Sequence, residues 1–144
     1  MIDGDALRLI EPDAPRQHPA PVVLTPHAGE FAAVFGDAGG DKIARTRAAA
    51  ARSGAVVVHK GADTVVAAPD GRVAMAGEAN AWLSTAGTGD VLAGTVGAML
   101  AGGGDAFAAA AAGVWLHGDA ARRAGRAFIA DDLAAMLTPA RGAL

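Results

Sequence analysis

Two hydrophobic periods share the 144-residue chain. PVVLTP (Pro21 to Pro26) and AVVVHKG (Ala55 to Gly61) are short, continuous, β-branched apolar runs, which predict buried strands. Between them, HAGEFAAVFG puts Phe31, Val34 and Phe35 on one helical face and stops at Gly36, and a second helix runs from about Asp41 to Ser53 and ends at Gly54. Thr64–Ala68 and Arg72–Ala76 flank Pro69-Asp70-Gly71, a hairpin turn in which Asp70 is structural. Met1-Ile2 reads as a strand end, and loops are predicted over Asp13 to Pro21 and about Gly77 to Gly87. Helical patterns then dominate: Gly89 to Leu100, Asp105 to Ala124, and a short segment near Asp131 to Leu137.

Helices alternating with buried strands predict an α/β fold with a mainly parallel sheet, to which the hairpin adds an antiparallel element. Ligands of such folds bind beyond the carboxyl ends of the strands. That rule brings Thr25-Pro26-His27, Lys60-Gly61 and the Gly87–Asp90 loop to one rim.

Composition narrows the picture. Aromatic residues are only 4% of the chain, while alanine and glycine abound, so the core must be tight and small-grained. The length suits one domain. A net charge of −3 without any basic block argues against a nucleic-acid surface. The lack of cysteine excludes disulfides and thiolate zinc sites and points to a reducing cytoplasm. Asp3 and Asp5 stand where a secretory leader would be basic, and the run around Val91–Ala101 is short of the roughly 20 residues of a membrane span, so no membrane partner is expected.

Three motifs carry candidate chemistry. In STAGTGDVLAG (Ser84 to Gly94), Gly87 and Gly89 let a ligand approach the start of a helix, whose unpaired N–H groups suit a phosphate or a developing negative charge. Asp90 is then placed to take a proton from a hydroxyl about to be phosphorylated. The competing reading is a plain first-turn acid beside glycines chosen for packing. In LTPHAGE, His27 and Glu30 face one ligand, or Glu30 merely stabilises its helix. In HKGADT, Lys60 ends a strand as a point charge for phosphate, or reaches solvent. Asp3, Asp5 and Asn80 are weaker candidates, and His117 reads as a packing histidine in an apolar helix.

The order of these motifs is more specific than any one of them. An aspartate-rich IDGDAL start, LTPHAGE, a strand ending in KGADT, an APDGR hairpin and GTGDVLAG follow one another from Ile2 to about Leu137. This succession resembles the C-terminal, ribokinase-like domain of ADP/ATP-dependent NAD(P)H-hydrate dehydratases. The resemblance implies a ribokinase-like three-layer sandwich and a repair reaction. A nucleotide phosphorylates the ring hydroxyl of the S epimer of hydrated NADH or NADPH, and phosphate then leaves, restoring the double bond. It implies Asp90 as the base and as a substrate contact. His27, Glu30 and Asn80 would also serve the substrate, and Lys60, Gly61, Ala62, Asp63, Thr64, Gly87, Thr88 and Gly89 the nucleotide. ADP or ATP would be the co-substrate, with ADP preferred among bacterial members, and magnesium would neutralise the phosphates through ligands the sequence does not identify.

Two departures stand out. A GNPGLAT-like loop usually precedes the catalytic glycines, whereas EANAWLST (Glu78 to Thr85) keeps Asn80 but puts Ala81 and Trp82 in place of proline and glycine. The family domain also has an N-terminal half ahead of the aspartate-rich motif, so residues 1–144 read as a single partial domain, truncated at its N-terminus. A misplaced start, a split protein and a decayed remnant are the competing accounts. An open parallel-sheet edge is costly for a monomer, so a homo-oligomer or a separate N-terminal half is expected. The alternatives to the dehydratase are a vitamin-precursor kinase of the same superfamily and a catalytically impaired nucleotide-binding fragment.

Overall fold

The computed structural model describes residues 1–37, 39–77 and 80–142. Strands β1 (Val23–Leu24), β2 (Val56–His59), β3 (Thr64–Ala67) and β4 (Val73–Ala76) form one sheet in the order β1-β2-β3-β4. β1 and β2 are parallel, and helices α1 (Ala28–Phe35) and α2 (Lys42–Ser53) make the crossover that parallel pairing demands. Ile2 adds a further parallel bridge to Leu24, its N–H donating to Val23 O at 2.9 Å, so the strand end expected at Met1-Ile2 does pair. β2–β3 and β3–β4 are antiparallel, with Val57 opposite Ala67 and Val66 opposite Ala74. The sheet is therefore mixed: parallel around Ile2, β1 and β2, antiparallel where tight turns return the chain.

Both faces of the sheet are covered, which is why its strands read as continuous apolar runs. Val23, Val56, Val58 and Val66 point to one face and pack on Leu92 and Val96 of α3 (Thr88–Ala101) and on Ala110 and Val114 of α4 (Ala106–Ala124). Leu24, Val57 and Ala67 point to the other, against Leu7, Phe31, Ala49 and Ala50. The result is three layers. Helix α5 (Ala130–Arg141) closes a satellite core with α4 through Leu116, Ala120, Phe128 and Leu133.

Local signals set most boundaries. Gly36 and Gly54 end α1 and α2 at φ +79° and +69°, where a β-carbon would strain the backbone. Asp41 caps α2 by accepting from Ala44 N at 2.7 Å. Tertiary packing sets the rest. The predicted Asp13–Pro21 loop contains a 3-10 turn, Ala14–Gln17, and the predicted Gly77–Gly87 loop contains another, Ala81–Ser84; Glu78 and Ala79 of that loop lie outside the described residues. α5 runs past the expected end at Leu137 and through Pro139 to Arg141, with Ala140 fully buried beneath it.

The scarcity of large side chains lets α3 and α4 come close. A β-carbon on Gly113 would lie 2.7 Å from Val96 Cγ2 and 3.1 Å from Val96 Cα, so the obstruction is backbone as well as side chain. Gly113→Ala is expected to lower stability by about 1–3 kcal/mol, measured by chemical denaturation, because the two helices must separate.

One buried group makes stability depend on pH. His59 ends β2, is 4% exposed, and stacks on Phe31 with ring centroids 4.1 Å apart. Thr46 Oγ1 donates its one proton to Lys42 O at 2.7 Å, so the 3.2 Å contact with His59 is an Nδ1–H donation to Thr46 Oγ1. Burial, reinforced by the Lys42 and Arg45 charges, lowers the imidazole pKa from 6.5 to about 4. Between those values the unfolded chain binds the extra proton, so this contribution is complete above pH 6.5 and lost as pH falls to about 4. It amounts to about 3 kcal/mol at most. His59→Phe, which keeps the stacking, is expected to flatten the fall in denaturation free energy across that window; an unchanged slope would refute the assignment.

Candidate active site

Beyond the carboxyl ends of β1 and β2 the chain surrounds a cavity of about 870 Å3. Of the residues singled out in the sequence, His27, Lys60, Gly61, Ala62, Thr64, Asn80, Thr88 and Gly89 line it. Glu30, Asp63, Gly87 and Asp90 are not among its lining residues but stand directly beside those that are.

The start of α3 differs from those of α1, α2 and α4. His27, Asp41 and Asp105 each cap α1, α2 and α4 through a side chain, whereas α3 begins at Gly87, which has none to offer. Gly87 sits at φ +85°, and a β-carbon there would lie 3.0 Å from Ala130 Cβ. Among the described residues, the N–H groups of Gly89 and Asp90 find no acceptor in the backbone, so the positive end of the helix is left open. Thr88 is turned inward, its hydroxyl 2.6 Å from Leu83 O and 2.8 Å from Thr85 O. His117 is buried, and its Nε2–H donates to Thr88 O at 2.9 Å. Burial lowers its pKa, the hydrogen bond opposes this, and the Lys60 charge adds to it. It is thus the satisfied histidine its sequence context suggested, and it also lines the cavity. Asp90, in the first turn, is exposed.

Lys60 lies beneath this helix start, with Nζ 3.6 Å from where a Gly89 β-carbon would be. Its ammonium pairs with Asp3 Oδ1 at 2.8 Å and with Glu30 Oε2 at 3.7 Å. Asp3 Oδ1 also accepts from Thr25 Oγ1 at 2.6 Å. The three charged side chains are shielded, at 18%, 15% and 9% exposed for Lys60, Asp3 and Glu30. Asp3, one of the weaker candidates in the sequence, finds its partner 57 residues away. Asp5 is exposed. His27 and Glu30 form a reciprocal capping box: Glu30 Oε2 accepts from His27 N at 2.7 Å, and His27 Nδ1 accepts from Gly29 N at 3.0 Å. The His27 ring proton is therefore on Nε2, which lies 3.4 Å from Glu30 Oε1 at the rim.

The KGADT turn holds itself. Thr64 Oγ1 donates to Gly61 O at 3.0 Å, and Asp63 pairs outward with Lys42 at 2.7 Å, whose hydrogen bond, reinforced by its charge, depresses the carboxyl pKa. Asn80 ties the loop to α4, donating to Ala121 O and Gly125 O at 3.1 and 2.8 Å. Sequence reasoning missed the α4 wall: Trp115, Gly118, Asp119 and Arg122 also line the cavity. The available signal was an indole at a position of α4 that the core does not use. Among the described residues, no three carboxylate or imidazole groups converge as a metal cage.

An α/β sandwich whose uncapped, glycine-bounded helix start lies over a shielded lysine has the architecture of the ribokinase-like fold. The comparisons make this specific: the chain belongs to the NAD(P)H-hydrate dehydratase family, whose model matches residues 1–139. It is 43% identical over 129 residues to the ADP-dependent (S)-NAD(P)H-hydrate dehydratase of Neisseria meningitidis serogroup B, covering 84% of this chain and 44% of that one. It is 44% identical over 124 residues to the bifunctional NAD(P)H-hydrate repair enzyme Nnr of Mycobacterium leprae, covering 84% of this chain and 26% of that one. Its fold is similar to the ADP/ATP-dependent NAD(P)H-hydrate dehydratase of Bacillus subtilis, co-crystallised with ATP/Mg2+ and soaked with CoA (TM-score 0.84, 31% identity, 98% of this chain, 54% of that one). The chain thus spans less than half of the first two relatives and about half of the third.

Asp3→Asn removes the nearer partner of a shielded ammonium and leaves Glu30 alone at 3.7 Å. A loss of about 1–3 kcal/mol in denaturation free energy is expected, between the values for exposed and fully buried pairs. Unchanged stability would mean that the pair contributes nothing net.

Proposed function

We propose that this chain carries the nucleotide-binding and catalytic part of a nucleotide-dependent (S)-NAD(P)H-hydrate dehydratase. The observation that carries the reading is the uncapped start of α3 above Lys60, in a cavity whose rim bears His27. Open helix N–H groups and a lysine are the equipment for holding a transferring phosphoryl group. The names of the relatives in Neisseria and Bacillus support the substrate and the use of ADP or ATP.

In this reading Gly87, Thr88 and Gly89 shape the anion cradle, with the backbone rather than the Thr88 hydroxyl facing the phosphoryl group. Lys60, Gly61, Ala62 and Thr64 contact the nucleotide, and Asp63 braces that turn through Lys42. Asp90 accepts the proton of the ring hydroxyl as its oxygen bonds to phosphorus and the nucleotide's P–O bond breaks. The C–O bond of the phosphorylated ring then breaks, phosphate leaves, and loss of a neighbouring proton restores the double bond. His27 and Asn80 meet the hydrated dinucleotide, and Glu30 orients His27. Magnesium would reach the site on the nucleotide's phosphates, as it usually does, since the chain's own donors form no cage among the described residues. Additional sheet strands, from a second copy or from the part of the relatives this chain does not span, would extend the edge that ends at Ile2. No helix of the described residues is long and apolar enough to cross a membrane, and the lack of cysteine suits a cytoplasmic setting.

The test is turnover of hydrated NADH with ADP and magnesium, alone and with any N-terminal half supplied. Asp90→Asn is expected to lower kcat by about 10²–10⁴ while ADP still binds. Full activity in that variant would remove Asp90 as the base. Accumulation of a phosphorylated product without loss of phosphate would assign the chain to the kinases instead.

A further inference from the structure

The α4 wall of the cavity has no role in the proposal above. Val114, Trp115, His117 and Gly118 stand there together with Asp119 and Arg122. At about 100° per residue, His117 and Asp119 bound this arc, and Trp115 lies within it, about 160° from His117. His117 is the margin against the start of α3, because it donates to Thr88 O. Trp115 therefore lies well round the helix from the anion cradle. The cradle and Trp115 line one cavity of about 870 Å3, a volume that admits a nucleotide.

The chemistry of the two walls agrees. Trp115 is 45% exposed, while its neighbours Val114 and Leu116 are buried, so the indole contributes little to the core. The cavity is also lined by the Lys60-Gly61-Ala62 turn, Ala76 and Gly77, which are small residues apart from Lys60. A β-carbon on Gly61 would lie 2.5 Å from Lys42 Nζ and push that ammonium aside. An exposed aromatic residue in a cavity otherwise rich in small, glycine-containing walls is suited to a planar ring. Next to it on the arc, Asp119 is buried and holds Arg122 at 2.5 Å and Arg123 at 2.6 Å, which keeps this stretch of α4 rigid.

We infer that Trp115 is the base-stacking residue of the nucleotide site, with its indole against the purine of the adenine nucleotide whose phosphates lie at the start of α3. The inference rests on the nucleotide reading above and goes beyond it by assigning the base. Stacking of a base on an aromatic side chain contributes about 1–3 kcal/mol.

The test compares binding of ADP and of inorganic pyrophosphate by calorimetry. Trp115→Ala is expected to raise the Kd for ADP about tenfold and to leave the Kd for pyrophosphate unchanged, because pyrophosphate reads only the anion cradle. Trp115→Phe, which keeps an aromatic face, is expected to bind ADP within a few-fold of the wild type. The chain has two tryptophans, so in a Trp82→Phe background the emission reports Trp115 alone, and saturable quenching by ADP is expected. Equal affinity of Trp115→Ala and wild type for ADP would overturn the inference while sparing the nucleotide site. Parallel loss of ADP and pyrophosphate binding would reduce Trp115 to a structural residue, as would emission indifferent to saturating ADP. Failure of the wild type to bind either ligand would overturn the nucleotide reading itself.

Discussion

The ion pair between Asp3 and Lys60 is the constraint on which the site depends. It joins two positions 57 residues apart, at the ends of the two parallel segments that flank β1, and Thr25 completes it by donating to the same carboxylate oxygen. A shielded ammonium needs a partner, because leaving it unpaired would incur its full desolvation cost. Once paired, Lys60 is held beneath Gly89 rather than free to follow solvent. Glu30, the second carboxylate near it, is fixed by the α1 capping box. The Lys60 charge is thus set in place by the same contacts that hold Ile2, β1 and β2 together.

The second constraint is close packing made possible by small residues. Gly113 lets α4 approach the backbone of α3 at Val96, and that approach lets His117 reach Thr88 O. A larger side chain at position 113 would move the α3 start relative to α4 and open the cavity between them. The abundance of alanine and glycine therefore has a geometric meaning: the core gives up large anchors and gains short distances between the helices that build the site.

Much of the architecture is legible in the sequence. The apolar runs at Val23–Leu24 and Val56–His59, the Pro69-Asp70-Gly71 turn and the glycine stops at Gly36 and Gly54 lie where local propensity puts them. Segments whose shape depends on packing were harder to read, such as the 3-10 turn Ala81–Ser84 and the last turn of α5, where a buried Ala140 outweighs the breaking tendency of Pro139. The motif residues His27, Lys60, Thr88 and Gly89 converge on the cavity, as expected for loops at strand carboxyl ends. The α4 wall carries no motif, only an exposed indole and a salt-bridged aspartate, and stayed invisible until the helix was in position.

By itself the chain determined its element types, their order, and the residues suited to a phosphate cradle, because these follow from side-chain period, glycine conformation and helix-end chemistry within a few neighbouring residues. Only the tertiary structure decided which charges meet. That Asp3 serves Lys60, that Asp63 turns outward to Lys42, and that His59 is buried neutral against Phe31 and Thr46 all depend on contacts between distant segments. Electrostatic energies fall steeply with distance and rise with burial, and neither quantity exists until the layers have packed.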